Sequence, residues 1–446
     1  MSALANVLLQ RGWQVSGSDL SRSSLTERLA EAGATVYYDH KPSNVEGAQV
    51  IIYTSAIRPE NPELVRAREL GIPIYTRGEL LGALMEEAKY GIAISGSHGK
   101  TTTTSMVGLI FEAAQLEATL LVGGELDNID GNVKVGNGEY FIAEACEYFD
   151  NFLNLRPNLG VILNIDADHH DYFKDLAHVK RSFRRFAELL PPTGHLVAHS
   201  DDPNVRDILP GLNCQVITFG LEPDADWRAV NMQLHSGGSS FDVLHHGQKV
   251  GHIVLHVPGQ HHIKNALAAI AIGHINGLDV ETCAKGFELY KGTHRRFYLQ
   301  GEYNGARIYD DVAHHPKEIK ATLETAKTFD AKRVISVFQP HTHTRTKALM
   351  HEFPAAFVDS DMVLITDIFM AREVDTFGVT AGMLADLMKK THPNVRHIGT
   401  LYDAAAYLSQ ELRPGDLVIT MGVGDVYRVA DMLLGKESME PAANQQ

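Results

Sequence analysis

The stretch Ile92-Ala93-Ile94-Ser95-Gly96-Ser97-His98-Gly99-Lys100-Thr101-Thr102-Thr103-Thr104 has the pattern of a strand, a turn of small residues and a helix start. Small residues let the backbone N–H groups of such a turn point at phosphate oxygens, and the following helix N-terminus adds its dipole. We expect Lys100 to reach the β- and γ-phosphates of a nucleotide and the Thr101 hydroxyl to bind Mg²⁺. The alternative is a Gly/Thr-rich turn that binds no ligand.

The general phosphate-loop pattern is only partly met. It requires a Gly at position 94, which is Ile94 here, and Gly96 is the only Gly of the turn before Gly99. The turn is nevertheless predicted to bind a nucleotide. The residues predicted to bind it here are Gly96, Ser97, His98, Gly99, Lys100, Thr101 and Thr102.

Composition limits the class of protein. A chain of 446 residues is long enough for about two to four domains. The formal net charge of -15 disfavours a nucleic-acid or anionic-membrane partner. Three widely separated cysteines argue against a disulfide framework, and no apolar run reaches the roughly 18 residues of a membrane span. With no basic-then-apolar signal at the N-terminus, a cytoplasmic protein is expected.

Residues 1–88 alternate between helix and strand patterns, which predicts a parallel sheet with helices on both faces. Ser16-Gly17-Ser18-Asp19 and Thr54-Ser55-Ala56-Ile57 follow two of these strands, at the edge where open α/β sheets bind ligands. Ordinary capped turns are the alternative. A dinucleotide-type fold opens with a strand and a Gly-rich turn, whereas this chain begins in the pattern expected after them.

The next region, from residue 89, contains two more strands that end in polar side chains. Residues 140–147 form an apolar strand ending in carboxylates, and residues 159–165 lead into Asp166-Ala167-Asp168-His169-His170-Asp171. Carboxylate and imidazole groups beside a phosphate loop suit a Mg²⁺–nucleotide centre. Helix caps are the alternative for each strand end taken alone.

The remaining chain continues the α/β pattern. Residues 231–257 predict an antiparallel excursion, and a long Ala-rich helix then starts near His262 and Asn265, whose side chains could contact a purine or merely cap the helix. From about residue 292, strands again end in polar segments, which predicts a second doubly wound sheet. Residues 437–446 form a polar tail that is expected to fray.

Several motifs together resemble the Mur ligase family, over nearly the whole chain. The compact phosphate loop looks like the form used by Mur ligases and folylpolyglutamate synthetases. Two motifs, D-D-V-A-H-H-P at 310–316 and F-Q-P-H-T-H-T-R at 338–345, are similar to those of the L-alanine-adding members. The others, in family order, are G-S-H-G-K-T-T-T, E-A-C-E, N-I-D-A-D-H, H-H-I-K-N-A-L-A-A and G-T-H-R-R-F.

The resemblance implies an α/β fold of three domains. These would be a Rossmann-like UDP-sugar domain at 1–88, a central P-loop ATPase domain at 89–291 and a Rossmann-like C-terminal domain at 292–446. It implies a ligase that uses ATP and Mg²⁺ to join L-alanine to the lactyl carboxylate of UDP-N-acetylmuramate through an acyl phosphate. No nucleic-acid or membrane partner is expected, and the enzyme would be a monomer or homodimer.

The resemblance also assigns residues to roles. The metal ligands would be Thr101, Glu144 and His169, and Lys100 would contact the transferred phosphate. His262 and Asn265 would contact adenine, Asp311 the ribose and Arg296 the γ-phosphate. His314, His341 and Arg345 would face the amino acid and the reacting centre. The groups predicted to be catalytic are thus Lys100, Glu144, His169, Arg296, His314 and Arg345.

This sequence departs from the family pattern at a few positions. Members usually open with a strand and a Gly-rich G-x-G-G-x-G-M-S-A-L-A turn, of which only Met1–Ala5 is present, so an N-terminally truncated chain is expected. His262 replaces the usual Asn of the adenine-side motif, Val312 a common Tyr, and Thr342 a frequent Arg. No counterpart of the carbamylated lysine of the sister ligases is expected.

Two other functions are compatible with these motifs. One is the recycling ligase that joins a tripeptide to the same sugar nucleotide, although the motif at 338–345 is not expected in it. The other is a nucleotide-binding protein without ligase activity. The short N-terminus favours it, and it is opposed by the intact Lys100, Glu144, His169, Asp311 and Arg345.

Overall fold

The computed structural model describes residues 1–54, 57–169, 171–371, 373 and 376–439. The predictions made for Ser55, Ala56, His170 and the end of the polar tail lie outside these residues. The chain forms two compact units. The first unit comprises Met1–Ile165, Lys180–Phe219 and Ala268–Thr282, and the second comprises Asp166–Val179, Gly220–Leu267 and Cys283–Gln446.

The N-terminal part of the first unit alternates helices and short strands, as predicted. Its elements are α1 (Ser2–Gln10), β1 (Ser16–Ser18), α2 (Ser24–Glu31), β2 (Thr35–Tyr37), β3 (Ile51–Tyr53), α3 (Pro62–Glu69), β4 (Ile74–Thr76) and α4 (Arg77–Glu86). The strands are parallel but form two separate pairs, β1 with β2 and β3 with β4, rather than the one sheet expected. Each pair joins only three residues per strand.

The rest of the first unit is built around the strand that enters the phosphate loop. Its elements, with α6 and β11 running across the unit boundary, are β5 (Tyr90–Ser95), α5 (Lys100–Ala113), β6 (Ala118–Leu126), β7 (Gly131–Lys134), β8 (Tyr140–Glu144), β9 (Leu159–Ile162), α6 (Leu176–Ala187), β10 (His195–His199), α7 (Pro203–Ile208) and β11 (Gln215–Gly220). The strand order is β11-β10-β9-β5-β8-β6-β7, and only β7 is antiparallel to its neighbour. The two strands predicted to end in ligands, β8 and β9, therefore flank β5.

The second unit contains an antiparallel meander and an open α/β sheet. Its elements, with α8 and α9 running across the unit boundary, are β12 (Trp227–His235), β13 (Gly238–His245), β14 (Gln248–Leu255), α8 (Gln260–Ile275), α9 (Val280–Leu289), β15 (Tyr298–Tyr303), β16 (Ala306–Asp311), α10 (Pro316–Ala326), β17 (Arg333–Phe338), α11 (His343–Leu349), α12 (Phe353–Ala356), β18 (Met362–Thr366), α13 (Ala381–Met388), β19 (Val395–Gly399), α14 (Leu401–Glu411), β20 (Asp416–Met421) and α15 (Tyr427–Leu433). The sheet order is β15-β16-β20-β17-β18-β19, parallel except for the edge strand β15.

Helices cover both faces of this open sheet, which explains why its strands are apolar without alternation. Successive residues of a strand point to opposite faces. Val363 accordingly packs in one core cluster and the next residue, Leu364, in the other. Polar side chains can then be accommodated mainly at the strand ends, where the predicted functional residues lie. No helix of the described part of the chain is both long and apolar enough to cross a membrane.

Candidate active site

The phosphate loop between β5 and α5 depends on two glycines with positive φ. Gly96 has φ 146° and Gly99, which precedes α5, has φ 85°. A Cβ atom at Gly96 would lie 2.9 Å from the Cβ of Leu163, so a larger residue would displace the end of β9. The Asn164 side chain ties the loop to β9, because it accepts the His98 N–H at 2.7 Å and donates to the His98 carbonyl at 3.0 Å. The loop is thus fixed to the end of β9 by these contacts.

The ammonium of Lys100 is held by a carboxylate that the sequence did not assign to the site. Lys100 Nζ lies 2.9 Å from Glu147 Oε2, and it also donates to the carbonyls of Gly96 and Ser97. Glu147 is only 2% exposed. Burial lowers the pKa of Lys100, but the charges of Glu147 and Glu144 outweigh this and raise the pKa above its ordinary value. Lys100 is therefore a fixed cation in the loop.

The predicted metal ligands lie in three different segments. Thr101 is buried in the first turn of α5, and Glu144, at the end of β8, accepts a hydrogen bond from the Gly123 N–H. His169 belongs to the second unit, where it has φ 52° and lies 3.9 Å from the Asp168 carboxylate. Within the described residues, no group of three His, Cys, Asp or Glu side chains is arranged to hold a metal ion.

The donor chemistry of the first unit nevertheless fits Mg²⁺. This ion prefers hard oxygen ligands, retains several waters and is usually held by one or two protein groups together with substrate phosphates. The Thr101 hydroxyl and the Glu144 carboxylate supply two such oxygens beside the phosphate loop. A cluster of three ionisable ligands is therefore not required, and the ligand set remains a prediction.

The predicted adenine-side residues, His262 and Asn265, are both buried near the start of α8. They lie three residues apart, which places them on the same side of the helix. The Nδ1 of His262 is 2.7 Å from the Pro258 carbonyl, so Nδ1 carries the proton and Nε2 can accept a hydrogen bond in the neutral ring. Burial lowers the pKa of His262 to about 4, which keeps the ring neutral at neutral pH.

We expect His262 to make the stability of the protein depend on pH. The native state resists protonation of this ring, whereas the unfolded chain takes up the proton near pH 6.5, so stability is full above that pH and falls toward pH 4. Between pH 7.5 and pH 5 the loss amounts to about 2 kcal/mol. Other buried groups, such as His341 and Asp311, also titrate in this range, so the difference between wild type and variant isolates His262. In urea unfolding at both pH values, the loss of stability in His262→Asn should be smaller than that of the wild type by this amount. The exposed His256→Asn variant should behave as the wild type.

Asp311, the predicted ribose partner, is already bonded to the protein through both carboxylate oxygens. Oδ1 accepts the Ala313 N–H at 2.8 Å, and Oδ2 accepts the Phe297 N–H and the Thr322 hydroxyl, each at 3.1 Å. Burial raises the pKa of this carboxyl to about 6, although the charge of Arg296 opposes the rise. A ribose hydroxyl would have to use a remaining lone pair, because Asp311 already anchors its own loop.

The residues predicted to face the amino acid lie together in the second unit. Arg345 Nη1 donates to His341 Nδ1 at 2.7 Å, and the rings of His341 and His314 have centroids 6.0 Å apart. His314 Nδ1 lies 2.8 Å from the Val312 carbonyl. Burial, with the charge of Arg345, lowers the pKa of His314 and lowers that of His341 to about 3. Both rings are therefore neutral at neutral pH.

Two acidic partners of this group were not predicted. Asp168 binds the Arg345 guanidinium, with Oδ1 at 2.9 Å from Nε and 2.8 Å from Nη2, and both side chains are buried. Glu373 accepts the backbone N–H groups of His343 and Thr344 at the start of α11. Asp168 follows a predicted strand end and could have been suspected from its position, whereas nothing local marks Glu373.

Three family models match consecutive parts of the chain. They are the Mur ligase family catalytic domain at residues 1–89, the Mur ligase middle domain at 94–273 and the Mur ligase glutamate ligase domain at 295–424. Two relatives named UDP-N-acetylmuramate–L-alanine ligase are each 46% identical. The protein from Alkaliphilus metalliredigens aligns over 98% of this chain and 95% of its own length, and that from Acetivibrio thermocellus over 98% and 94%.

Solved structures agree with the family models. The UDP-N-acetylmuramate-alanine ligase of Thermotoga maritima has a TM-score of 0.83 and 26% identity, covering 98% of this chain and 96% of its own. A murein peptide ligase from Psychrobacter arcticus, at 22% identity and a TM-score of 0.73, shares the fold over 98% of this chain and 96% of its own. With its phosphate loop, its α/β sheets and these matches, the chain belongs to the Mur ligase family.

Proposed function

We propose that this chain joins L-alanine to the lactyl carboxylate of UDP-N-acetylmuramate, giving UDP-N-acetylmuramoyl-L-alanine, ADP and phosphate. The observation that carries this proposal is the 46% identity, over 98% of the chain, with relatives named for that reaction. The reaction is a step of peptidoglycan precursor synthesis, on which cell shape and division depend. We place it in the cytoplasm, where ATP and the sugar nucleotide are available and where free cysteines such as Cys283 persist.

The chemistry requires activation of a carboxylate, which is a poor electrophile at neutral pH. Transfer of the γ-phosphoryl group of ATP to a carboxylate oxygen gives an acyl phosphate, and the amine of alanine then attacks its carbonyl carbon and releases phosphate. Lys100 and Arg296 would bind the transferring group and balance its charge. Excluding water from the site protects the acyl phosphate from hydrolysis.

We assign Thr101, Glu144 and His169 to hold Mg²⁺, which would neutralise charge on the nucleotide phosphates. The oxygen donors of Thr101 and Glu144, beside the phosphate loop, support this assignment. His262 and Asn265 are assigned to adenine. In its neutral form His262 offers Nε2 as an acceptor for the adenine amino group, the role that an Asn carbonyl would otherwise fill. Asp311 is assigned to the ribose.

Glu144 can be tested through Gly123, whose N–H it accepts. A Cβ atom at Gly123 would lie 2.5 Å from Glu144 Oε2, so Gly123→Ala must move the carboxylate. Because that carboxylate is the free end of a side chain, we expect little change in thermal stability but a rise of about tenfold in the Mg²⁺ concentration for half-maximal activity. Gly237→Ala, where the nearest atom is at 3.5 Å, should leave the Mg²⁺ requirement unchanged. An unchanged requirement in Gly123→Ala would remove Glu144 from the ligand set.

On the acceptor side, we propose that Arg345, His314 and His341 face L-alanine. An arginine fork suits a carboxylate. The neutral ring of His314, whose Nδ1 faces the Val312 carbonyl, has Nε2 available to accept a proton that the attacking amine must lose. We also retain the domain boundaries after residues 88 and 291 as proposals, and a monomer or homodimer as the assembly.

The recycling reaction with a tripeptide is the nearest alternative. Murein peptide ligase from Psychrobacter arcticus shares the fold, but at 22% identity, against 46% for the relatives named for L-alanine. A nucleotide-binding protein without ligase activity is the alternative from another class. The buried Arg345–Asp168 pair, which is not among the predicted nucleotide contacts, would serve no evident purpose in it beyond stability.

The test is ATP-dependent phosphate release with UDP-N-acetylmuramate, Mg²⁺ and L-alanine, each omitted in turn. We expect release to require all four components and to be far faster with L-alanine than with the tripeptide L-Ala-γ-D-Glu-meso-diaminopimelate. A preference for the tripeptide would establish the recycling reaction. Nucleotide binding without any release would leave only the binding function.

A further inference from the structure

The residues on either side of Arg296 have an unusual backbone. Arg295 has φ 61° and Phe297 has φ 48°, so both are left-handed although neither is glycine. Such conformations are strained in residues other than glycine and persist only where neighbouring contacts hold them. The contacts that hold these two residues therefore decide where Arg296 points.

Phe297 is held by the carboxylate of Asp311 and by its own ring. Its N–H donates to Asp311 Oδ2 at 3.1 Å. The ring lies in the core of the sheet, with its centroid 4.8 Å from that of Tyr309 and 5.5 Å from that of Phe329. The residue after Arg296 is thus fixed to the end of β16.

Arg295 is held by the preceding carboxylate of β16, that of Asp310. Arg295 Nε lies 3.1 Å from Asp310 Oδ2, and Asp310 is fully buried and also accepts the Thr420 hydroxyl at 2.6 Å. The two terminal nitrogens of Arg295 donate to three carbonyls of the turn after β20, at 2.7 to 3.2 Å. These carbonyls belong to Gly422, Val423 and Gly424.

The guanidinium of Arg295 is consequently occupied by the protein itself. It also lies over the ring of Tyr427, with its carbon 4.9 Å from the ring centroid. The charge of Arg296, by contrast, acts on the predicted nucleotide contacts. Besides burial, which dominates, it influences the pKa of both His262 and Asp311. Of the two adjacent arginines, Arg296 is the one whose charge acts on the predicted nucleotide contacts His262 and Asp311.

We infer that Arg295 and Asp310 are positioning residues that, together with Asp311, hold Arg296 toward the γ-phosphate of ATP. This inference rests on the proposed function, because it takes the γ-phosphate contact of Arg296 from it. Two consecutive carboxylates at the end of β16 would hold the two neighbours of Arg296, one through a side chain and the other through a backbone N–H. The role of Arg295 is to bind the protein, and it does not contact the substrate.

The chain offers a closely matched control pair in the same sheet. Arg333 and Asp416 have side-chain exposures of 25% and 1%, against 29% and 0% for Arg295 and Asp310. Arg333 binds Asp416 at 2.6 and 2.9 Å at the opposite ends of the strands, where no predicted site residue lies. Loss of either pair should destabilise the sheet comparably, but only one of them should affect the γ-phosphate.

The experiment compares Arg295→Met and Asp310→Asn with Arg333→Met and Asp416→Asn. Calorimetry measures binding of ADP, which has no γ-phosphate, and of AMP-PNP, a non-hydrolysable ATP analogue that has one. For the first two variants we expect AMP-PNP to bind about tenfold more weakly with ADP binding unchanged, and kcat for phosphate release to fall about 10²-fold. The control variants should retain wild-type nucleotide binding and kcat.

If Arg295 and Asp310 had only a structural role, their loss would weaken the binding of both nucleotides or of neither. Either result would overturn the inference. If a single variant fails to fold because a buried charge loses its partner, Arg295→Met/Asp310→Met removes both charges. This variant should recover thermal stability and still bind AMP-PNP weakly. The proposed function is tested separately by phosphate release from the wild-type protein. If the variants bind AMP-PNP more weakly as expected but the wild type releases no phosphate, the proposed function is wrong and the positioning of Arg296 is not.

Discussion

Replacing Lys100 by Met is expected to reduce kcat for phosphate release by about 10³-fold or more. The ammonium is the one side-chain cation that the structure places within the phosphate loop, bonded to the Gly96 and Ser97 carbonyls of the loop itself. Without it, the charge of the transferring phosphoryl group loses a fixed partner that needs no reorganisation during the reaction. Phosphate release at saturating substrates measures the effect.

The same substitution should also destabilise the protein, and this effect must be separated from catalysis. Glu147 is 2% exposed and would keep its charge without Lys100, which costs about 3–5 kcal/mol in comparable buried pairs. Lys100→Met/Glu147→Gln should recover most of that stability and none of the activity. Lys89→Met, which breaks the exposed pair with Glu139, is the control and should leave both quantities unchanged. An active Lys100→Met enzyme would contradict the assigned loop.

The phosphate loop and its flanking strands could be predicted because their signals are local. Gly96, Gly99 and Lys100 lie within five residues, and a strand that precedes such a turn is central in most open α/β sheets. The same rule placed the strands β8 and β9 beside β5, as observed. Three of the strands that were missed are edge strands, and the fourth is the inner strand β6, whose pairing with β7 shifts register between Leu121 and Leu126. The missed strands are β6, β7, β15 and β19.

The partners of the predicted site residues could not be predicted, because each pair joins distant parts of the chain. Arg345 and Asp168 are 177 residues apart, and Lys100 and Glu147 are 47 apart. A sequence pattern indicates that Lys100 binds phosphate, but it does not indicate which buried carboxylate balances the charge of Lys100. Arg295 illustrates the reverse case. It stands beside Arg296 in the same motif, and only its contacts with Asp310 and the carbonyls after β20 distinguish the two.

Replacing Arg345 by Met is expected to lower kcat/KM for L-alanine by about 10³-fold, with ATP binding unchanged. The guanidinium is buried, and its fork is oriented by Asp168 on one side and by His341 on the other. A buried, oriented fork is the arrangement that recognises a carboxylate in two places, and L-alanine presents its carboxylate beside the reacting amine. The KM for L-alanine should therefore rise more than kcat falls.

The Asp168 partner gives the prediction a second, separable consequence. Removing Arg345 leaves Asp168 buried without its guanidinium, which should cost about 3–5 kcal/mol of stability. Arg345→Met/Asp168→Asn should restore stability while KM for L-alanine remains high. Arg345→Lys retains the charge but not the fork, so it should keep stability better than it keeps alanine affinity. The KM of Arg345→Met for L-alanine could instead equal that of the wild type while only stability falls. In that case Arg345 only forms the ion pair with Asp168, and the amino acid binds elsewhere.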